Sequence, residues 1–180
     1  GININKEIPS DDPCPPQYII DKINQAGGIA IMAHPAWSLL THEDIMKLDG
    51  LTAIEIYNTI SEAYSCRGYS DNYADVLASK GYVKKLLAVD DAHFYDKDAF
   101  KGWIMVQCDT FSADSIVDAI REGCYYSSQG PKFKQISVVG NMITAETSPV
   151  ASISFISDSF FVRERIVEQE PIELITKGEY

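Results

Sequence analysis

Residues 29–35, with the sequence IAIMAHP, are a run of five apolar residues that ends in His34 and Pro35. A short unbroken apolar run predicts a strand that is covered on both faces, as in a parallel sheet. A helix is expected just before it, because Pro16 suits a first helical turn and Gly27-Gly28 stops the helical pattern. The stretch therefore indicates a helix followed by a buried strand, with an imidazole at the carboxyl end of the strand.

The same alternation continues along the chain. Further strands are predicted at residues 51–57, 86–89, 103–106 and 124–127, and further helices at residues 41–48, 70–80 and 113–122. Strands that alternate with helices at this spacing indicate parallel βα units, and therefore an α/β sheet or barrel.

A different pattern begins after Gly130-Pro131. Short β-branched or alternating runs occur there without a helical pattern, at residues 136–139, 142–146, 151–157 and 160–167. We therefore predict two domains, an α/β part over residues 1–131 and a β-rich extension over residues 132–180.

Composition limits the classes of partner. The 180 residues carry 15 basic and 26 acidic side chains, a formal net charge of −11, which repels nucleic-acid backbones and anionic lipid surfaces. No apolar run approaches the roughly 20 residues that span a bilayer, and no signal-peptide pattern is visible. The four cysteines form no CxxC pair. We expect neither a membrane nor a nucleic-acid partner, and a cytoplasmic location is favoured.

Metal-ligand residue types follow three successive predicted strands. His34 ends the first strand, Glu55 and Asn58 belong to the second, and Asp91 and His93 follow the third. Parallel α/β folds place their sites at the carboxyl ends of the strands. In Asp91-Ala92-His93, alternate residues of an extended segment point the same way, so both side chains can reach one cation. Each histidine alone is also explained as a hydrogen-bonded structural residue, but two at equivalent strand ends favour a site.

Three blocks in this order resemble the polymerase and histidinol phosphatase (PHP) family of metal-dependent phosphoesterases. They are GIAIMAHPAWS at residues 28–38, IEIYN at 54–58 and AVDDAH at 88–93; SSQGP at 127–131 and SPV at 148–150 also resemble the C-terminal β extension of one subgroup. The resemblance spans roughly residues 16–157. The fold class that it implies is α/β, a partial (β/α)7 distorted TIM-like barrel of the PHP type, followed by a small all-β extension.

The resemblance also implies roles for individual residues. The resemblance implies that His34, Asp91 and His93 are metal ligands and that Asp91 and His93 are also catalytic. The divalent cofactor that it implies is zinc, manganese or iron. Glu55 and Asn58 are expected to support the ligands or the local structure. Asp90 is expected to orient a ligand, with a solvated carboxylate as the alternative. Trp37 and Arg67 are candidate contacts for a small phosphorylated substrate, against the alternatives of packing and of solvated surface charge. The implied reaction is hydrolysis of a phosphate ester by metal-activated water.

The first ligand blocks of the family, beginning with a His-x-His, do not occur in this chain. Only five βα-type strands are predicted, and a (β/α) barrel takes about 250 residues. We therefore expect a C-terminal portion that starts without Met and lacks roughly 100 preceding residues of the barrel. Such a portion is expected to be inactive alone. Two other hypotheses remain: a non-catalytic module that binds a ligand or partner through a PHP-derived fold, and self-association of two copies that completes the barrel.

Overall fold

The computed structural model describes residues 1–9, 14–94, 96–156, 166–168 and 175–179. The chain divides into two compact units, Gly1–Gln129 and Gly130–Tyr180. The sequence analysis placed the domain boundary two residues later, after Pro131.

Five helices are described in the first unit, each with a recognisable start or stop signal. They are α1 (Pro16–Gln25), α2 (His42–Met46), α3 (Thr59–Ser65), α4 (Asp71–Ser79) and α5 (Ala113–Glu122). The Thr41 hydroxyl and the Asp44 carboxylate form a capping box at the start of α2. Ser112 caps α5, and Gly123 ends it at a φ of 86°, which glycine adopts without strain. Helix α3 was not predicted, because it is only seven residues long and most of its side chains are polar.

The first three strands form a parallel sheet in the order β1-β2-β3, with β1 at Ile31–Met32, β2 at Ala53–Asn58 and β3 at Lys85–Val89. The next two, β4 (Trp103–Val106) and β5 (Tyr125–Ser128), pair antiparallel with each other. The expectation of parallel units thus holds for β1–β3 and is wrong for β4 and β5. The strand β1 is shorter than predicted, because Ile29 pairs instead with Ile2 in an antiparallel bridge. The described strands form open sheets, and the barrel class stays a prediction.

The core of the first unit lies between the parallel sheet and its helices. Its buried members are all aliphatic and come from α1, α2, α4, β2 and the segments that lead into the strands: Ile20, Ile23, Ala30, Ile45, Leu51, Ile54 and Leu77. Full burial of one such Leu or Ile side chain contributes about 1.5–3 kcal/mol. This packing fixes β1 and β2, so that the polar residues after them occupy defined positions.

The hydroxyl of Ser127 links β5 to the edge of β3. It accepts a hydrogen bond from the backbone N–H of Ala88 at 2.8 Å and donates one to the carbonyl of Leu86 at 2.9 Å. The side chain therefore satisfies two backbone groups of β3 that a neighbouring strand would otherwise pair.

The second unit is a β structure in its described residues. Strands β6 (Phe133–Val139) and β7 (Met142–Thr147) form a hairpin, and β10 (Ile175–Glu179) pairs with the other edge of β7. Strand β8 (Ser152–Ser154) pairs antiparallel with β9 (Ile166–Glu168). The hairpin turns at Gly140, whose φ of 59° suits glycine. Of the predicted run at 160–167, residues 160–165 lie outside the described residues, and β10 was not predicted. No helix in the described parts of the chain is long and apolar enough to cross a membrane.

Replacement of Ser127 by Ala should lower the free energy of unfolding by about 1–3 kcal/mol, because two backbone groups of β3 lose their partner. Urea unfolding followed by circular dichroism measures the change. The control is Ser79→Ala on α4. The Ser79 hydroxyl donates only to the nearby Val76 carbonyl, and loss of this hydrogen bond should cost less than about 0.5 kcal/mol. Equal effects of the two variants would show that Ser127 does not join the strands.

Replacement of Tyr125 by Phe should leave stability at neutral pH unchanged or raise it. The Tyr125 hydroxyl is buried without a hydrogen-bond partner among the described residues, and burial raises the pKa of Tyr125 to about 12. Because a raised pKa favours the protonated phenol in the folded state, the wild-type chain should lose stability relative to Tyr125→Phe as the pH rises from about 10 to about 12.

Unfolding midpoints across this alkaline range measure the difference between the two proteins. The matched control is Tyr82→Phe, which removes a hydroxyl that donates to the Leu48 carbonyl at 2.6 Å and should destabilise the chain by about 1 kcal/mol at neutral pH. A Tyr125→Phe variant as destabilised as this control would contradict the assignment of an unpartnered phenol.

Candidate functional site

The residues after β1, β2 and β3 lie at one edge of the parallel sheet. His34 follows β1 by two positions, Asn58 is the last residue of β2, and Asp90 directly follows β3. Because the three strands are parallel neighbours, their carboxyl ends share this edge, where α/β folds place binding sites.

A β-bulge at Ile56 explains the spacing of Glu55 and Asn58. Glu55 pairs with Leu87 of β3 and Tyr57 pairs with the very next residue, so Ile56 is an extra residue in β2. In a regular strand, residues three apart face opposite sides, and one extra residue returns them to the same side. The Asn58 Nδ2 accordingly donates to Glu55 Oε2 at 3.1 Å.

The Asn58 side chain connects the end of β2 to the loop after β3 and to α3. It is 0% exposed, and its Nδ2 donates a second hydrogen bond to Asp91 Oδ2 at 3.3 Å. Its Oδ1 accepts from the backbone N–H of Ser61 at 2.9 Å, which caps α3. The amide therefore uses both donors and its acceptor, and it pairs with two carboxylates from different strands.

The network extends to the first strand through Glu55. Glu55 Oε2 also accepts the backbone N–H of His34 at 2.8 Å, so hydrogen bonds run without a break from His34 to Asp91. His34 and Asp91 have φ values of 28° and 55°, in a region that residues other than glycine seldom adopt. Such conformations persist where surrounding contacts compensate their cost.

The His34 ring is fixed by two neighbours on its own loop. Its Nδ1 lies 3.0 Å from the Ser38 hydroxyl, and the Trp37 ring meets it edge to face with centroids 4.9 Å apart. The partner on Nδ1 leaves Nε2 as the nitrogen that is open to a ligand. The sequence analysis singled out Trp37 but not Ser38, since a serine in a loop carries no distinguishing signal.

Asp90 anchors the segment that follows the site. Its carboxylate accepts hydrogen bonds from the Thr59 hydroxyl at 2.9 Å and from the backbone N–H groups of Lys101 and Gly102 at 2.9 and 2.8 Å, and a further one from the backbone of Phe100. Burial alone would raise the pKa of Asp90, but these donors together hold it below its ordinary value. The expectation that Asp90 orients a metal ligand stays a prediction.

His93 and Arg67 are both exposed. The backbone N–H of His93 donates at 2.9 Å to Asp98 Oδ2, and Asp98 is only 4% exposed. Asp98 also accepts from the backbone of Phe94, so it holds the turn that carries His93. Arg67 lies between α3 and Tyr69, and its guanidinium has no partner among the described residues. The sequence analysis missed Asp98, which could be suspected only because aspartate commonly binds backbone N–H groups in turns.

The donor types at this edge, imidazole and carboxylate, are those that zinc and manganese prefer. However, no three His, Cys, Asp or Glu side chains of the described residues are grouped closely enough to hold a metal ion. His34, Asp91 and His93 therefore do not make a complete metal site in this arrangement, and their ligand roles stay predictions.

No family model and no curated protein sequence matches this chain. A similar solved structure is that of a two-domain protein containing a predicted PHP-like metal-dependent phosphoesterase from Bacteroides vulgatus ATCC 8482. The two chains are 12% identical, with a TM-score of 0.47, and the match covers 89% of this chain and 55% of the other. This chain thus spans little more than half of that protein's length.

Replacement of Asn58 by Ala should lower the free energy of unfolding by about 2–4 kcal/mol, because α3 loses its cap and the carboxylates of Glu55 and Asp91 lose their shared donor. The matched control is Ser112→Ala, which removes the cap of α5 and an exposed hydrogen bond to the Ser115 hydroxyl, and which should cost about 1 kcal/mol. Denaturant unfolding compares the two. An Asn58 variant no less stable than the Ser112 variant would mean that the contacts to the carboxylates contribute nothing.

Proposed function

We propose that the natural protein containing these residues is a metal-dependent phosphoesterase of the PHP type that hydrolyses a small phosphorylated substrate. The proposal includes the partial (β/α)7 barrel and the metal-ligand roles of His34, Asp91 and His93. The observation that carries it is the buried Asn58 amide, which joins Glu55 and Asp91 at positions that resemble the family's blocks.

The charge at this edge supports a cationic cofactor. Two carboxylate oxygens, from Glu55 and Asp91, lie within 3.3 Å of the same nitrogen. Among the described residues, no lysine or arginine forms an ion pair with either carboxylate. The whole chain has a net charge of −11, so an anionic phosphate ester would be repelled without a bound cation.

The chain's own residues would position the reacting groups. Asn58 donates a hydrogen bond to each of the two carboxylates, which fixes the direction in which they point. Ser38 pairs with Nδ1 of His34 and leaves Nε2 open. His93 and Arg67 have side chains at the solvent-exposed rim without partners among the described residues, where a phosphoryl group could contact them.

The test is hydrolysis of p-nitrophenyl phosphate and its bis ester by the natural protein with manganese or zinc. Asp91→Asn and His93→Ala should each lower kcat/KM by at least about 100-fold, as expected when an interaction made in the transition state is lost. The control is Asp109→Asn, which changes an exposed carboxylate three residues after the end of β4 and should leave activity unchanged. Wild-type rates in both site variants would contradict the proposal.

Metal removal distinguishes the proposal from a non-catalytic module. Dialysis against a chelator should abolish hydrolysis, and manganese or zinc should restore it. Elemental analysis of the purified wild-type protein should find bound metal, and Asp91→Asn should carry less. Metal at background level in the natural protein, with no hydrolysis, would favour the binding module instead.

A further inference from the structure

A pocket of about 230 Å³ lies within the first unit, beside the carboxyl ends of β2 and β3. Ile56 of the bulge and Ala88 of β3 line it, together with Tyr57, Tyr69, Asp71 and Gln129. Pockets for drug-sized ligands measure about 300–1,000 Å³. This one is therefore suited to a small molecule or a single functional group.

The two tyrosine rings form a fixed aromatic corner. Their centroids are 4.9 Å apart and their planes differ by 57°. A β-bridge pairs the two backbones, and the Tyr69 hydroxyl donates to Gln129 Oε1 at 3.2 Å. Tyr57 packs against Gly102, where a Cβ would lie only 2.7 Å from Cδ1 of the ring. Both rings are thus positioned before any ligand arrives, which lowers the cost of binding.

The charge of the pocket is negative. Asp71, at the first position of α4, lines the pocket, and its carboxylate has no hydrogen-bond donor or ion-pair partner among the described residues. No lysine, arginine or histidine of the described chain lines the pocket. Aromatic faces carry negative potential, so both rings and the carboxylate attract the same kind of ligand.

We propose that this pocket binds a small organic cation, an alkylammonium or methylated ammonium group. The rings of Tyr57 and Tyr69 contact its apolar surface, and Asp71 neutralises its charge. A neutral molecule of the same shape gains the apolar contact but not the attraction to the carboxylate and the ring faces. This site is independent of the proposed hydrolysis, because it requires neither a metal nor a phosphate.

The test uses choline as the probe and its uncharged carbon isostere, in which carbon replaces the quaternary nitrogen. Titrations followed by the NMR signals of the tyrosine rings should give a Kd for choline about three- to tenfold lower than for the isostere. The signals of Tyr57 and Tyr69 should shift first. Equal affinity for the two probes, or no shift of these rings with choline, would overturn the proposal.

Matched variants test the contribution of the Asp71 charge to choline binding separately from that of the Tyr69 ring. Asp71→Asn and Tyr69→Leu should each weaken choline binding by about threefold or more, while Tyr69→Phe, which keeps the ring, should retain it. The control Asp75→Asn makes the same charge change one turn later on α4 and should leave binding unchanged. Because Tyr69 is 54% exposed and Asp71 is on the surface, these changes should preserve the fold, and circular dichroism checks this. Equal losses in Asp71→Asn and Asp75→Asn would refute the site.

Discussion

The arrangement of the candidate site depends on one buried amide. Asn58 is enclosed in protein, and a buried amide that left a donor or acceptor unpaired would cost about 1–3 kcal/mol for each group. The chain meets this constraint with two carboxylates and one helix N-terminus. The position of Asn58 therefore determines where Glu55, Asp91 and α3 must lie, and hence how the three strand ends meet.

The bulge at Ile56 makes this arrangement possible. Without the extra residue, Glu55 and Asn58 would face opposite sides of the sheet, and no shared hydrogen bond could form. The bulged residue, Ile56, also forms a backbone hydrogen bond. Its carbonyl accepts from the backbone N–H of Ser70 at 2.8 Å, which brings the segment after α3 back to β2. The same bulge thus places the carboxylate network at the strand ends and Tyr69 beside Tyr57.

The sequence predicted those features that follow from local patterns. Apolar runs located β2, β3 and β4, and the helix predicted at residues 113–122 has the bounds that the structure gives α5. That the polar residues after β1, β2 and β3 lie at one edge was predicted, because the carboxyl ends of parallel strands share an edge. The direction of β5 was not predictable, since a helix between two strands suggests a parallel crossover, whereas the register of β4 and β5 is set by tertiary pairing.

The pair of adjacent aspartates after β3 shows why the rest of the site could not be predicted. Asp90 and Asp91 are chemically identical, yet Asp90 accepts backbone N–H groups and anchors a loop, while Asp91 faces the Asn58 amide. The difference arises at Asp91, whose φ of 55° turns the chain as the strand ends. The carboxylate of Asp90 accepts four hydrogen bonds, whereas that of Asp91 accepts one among the described residues, from the Asn58 amide. The acceptor positions that remain open therefore belong to Asp91 and not to Asp90, which agrees with the ligand role proposed for Asp91.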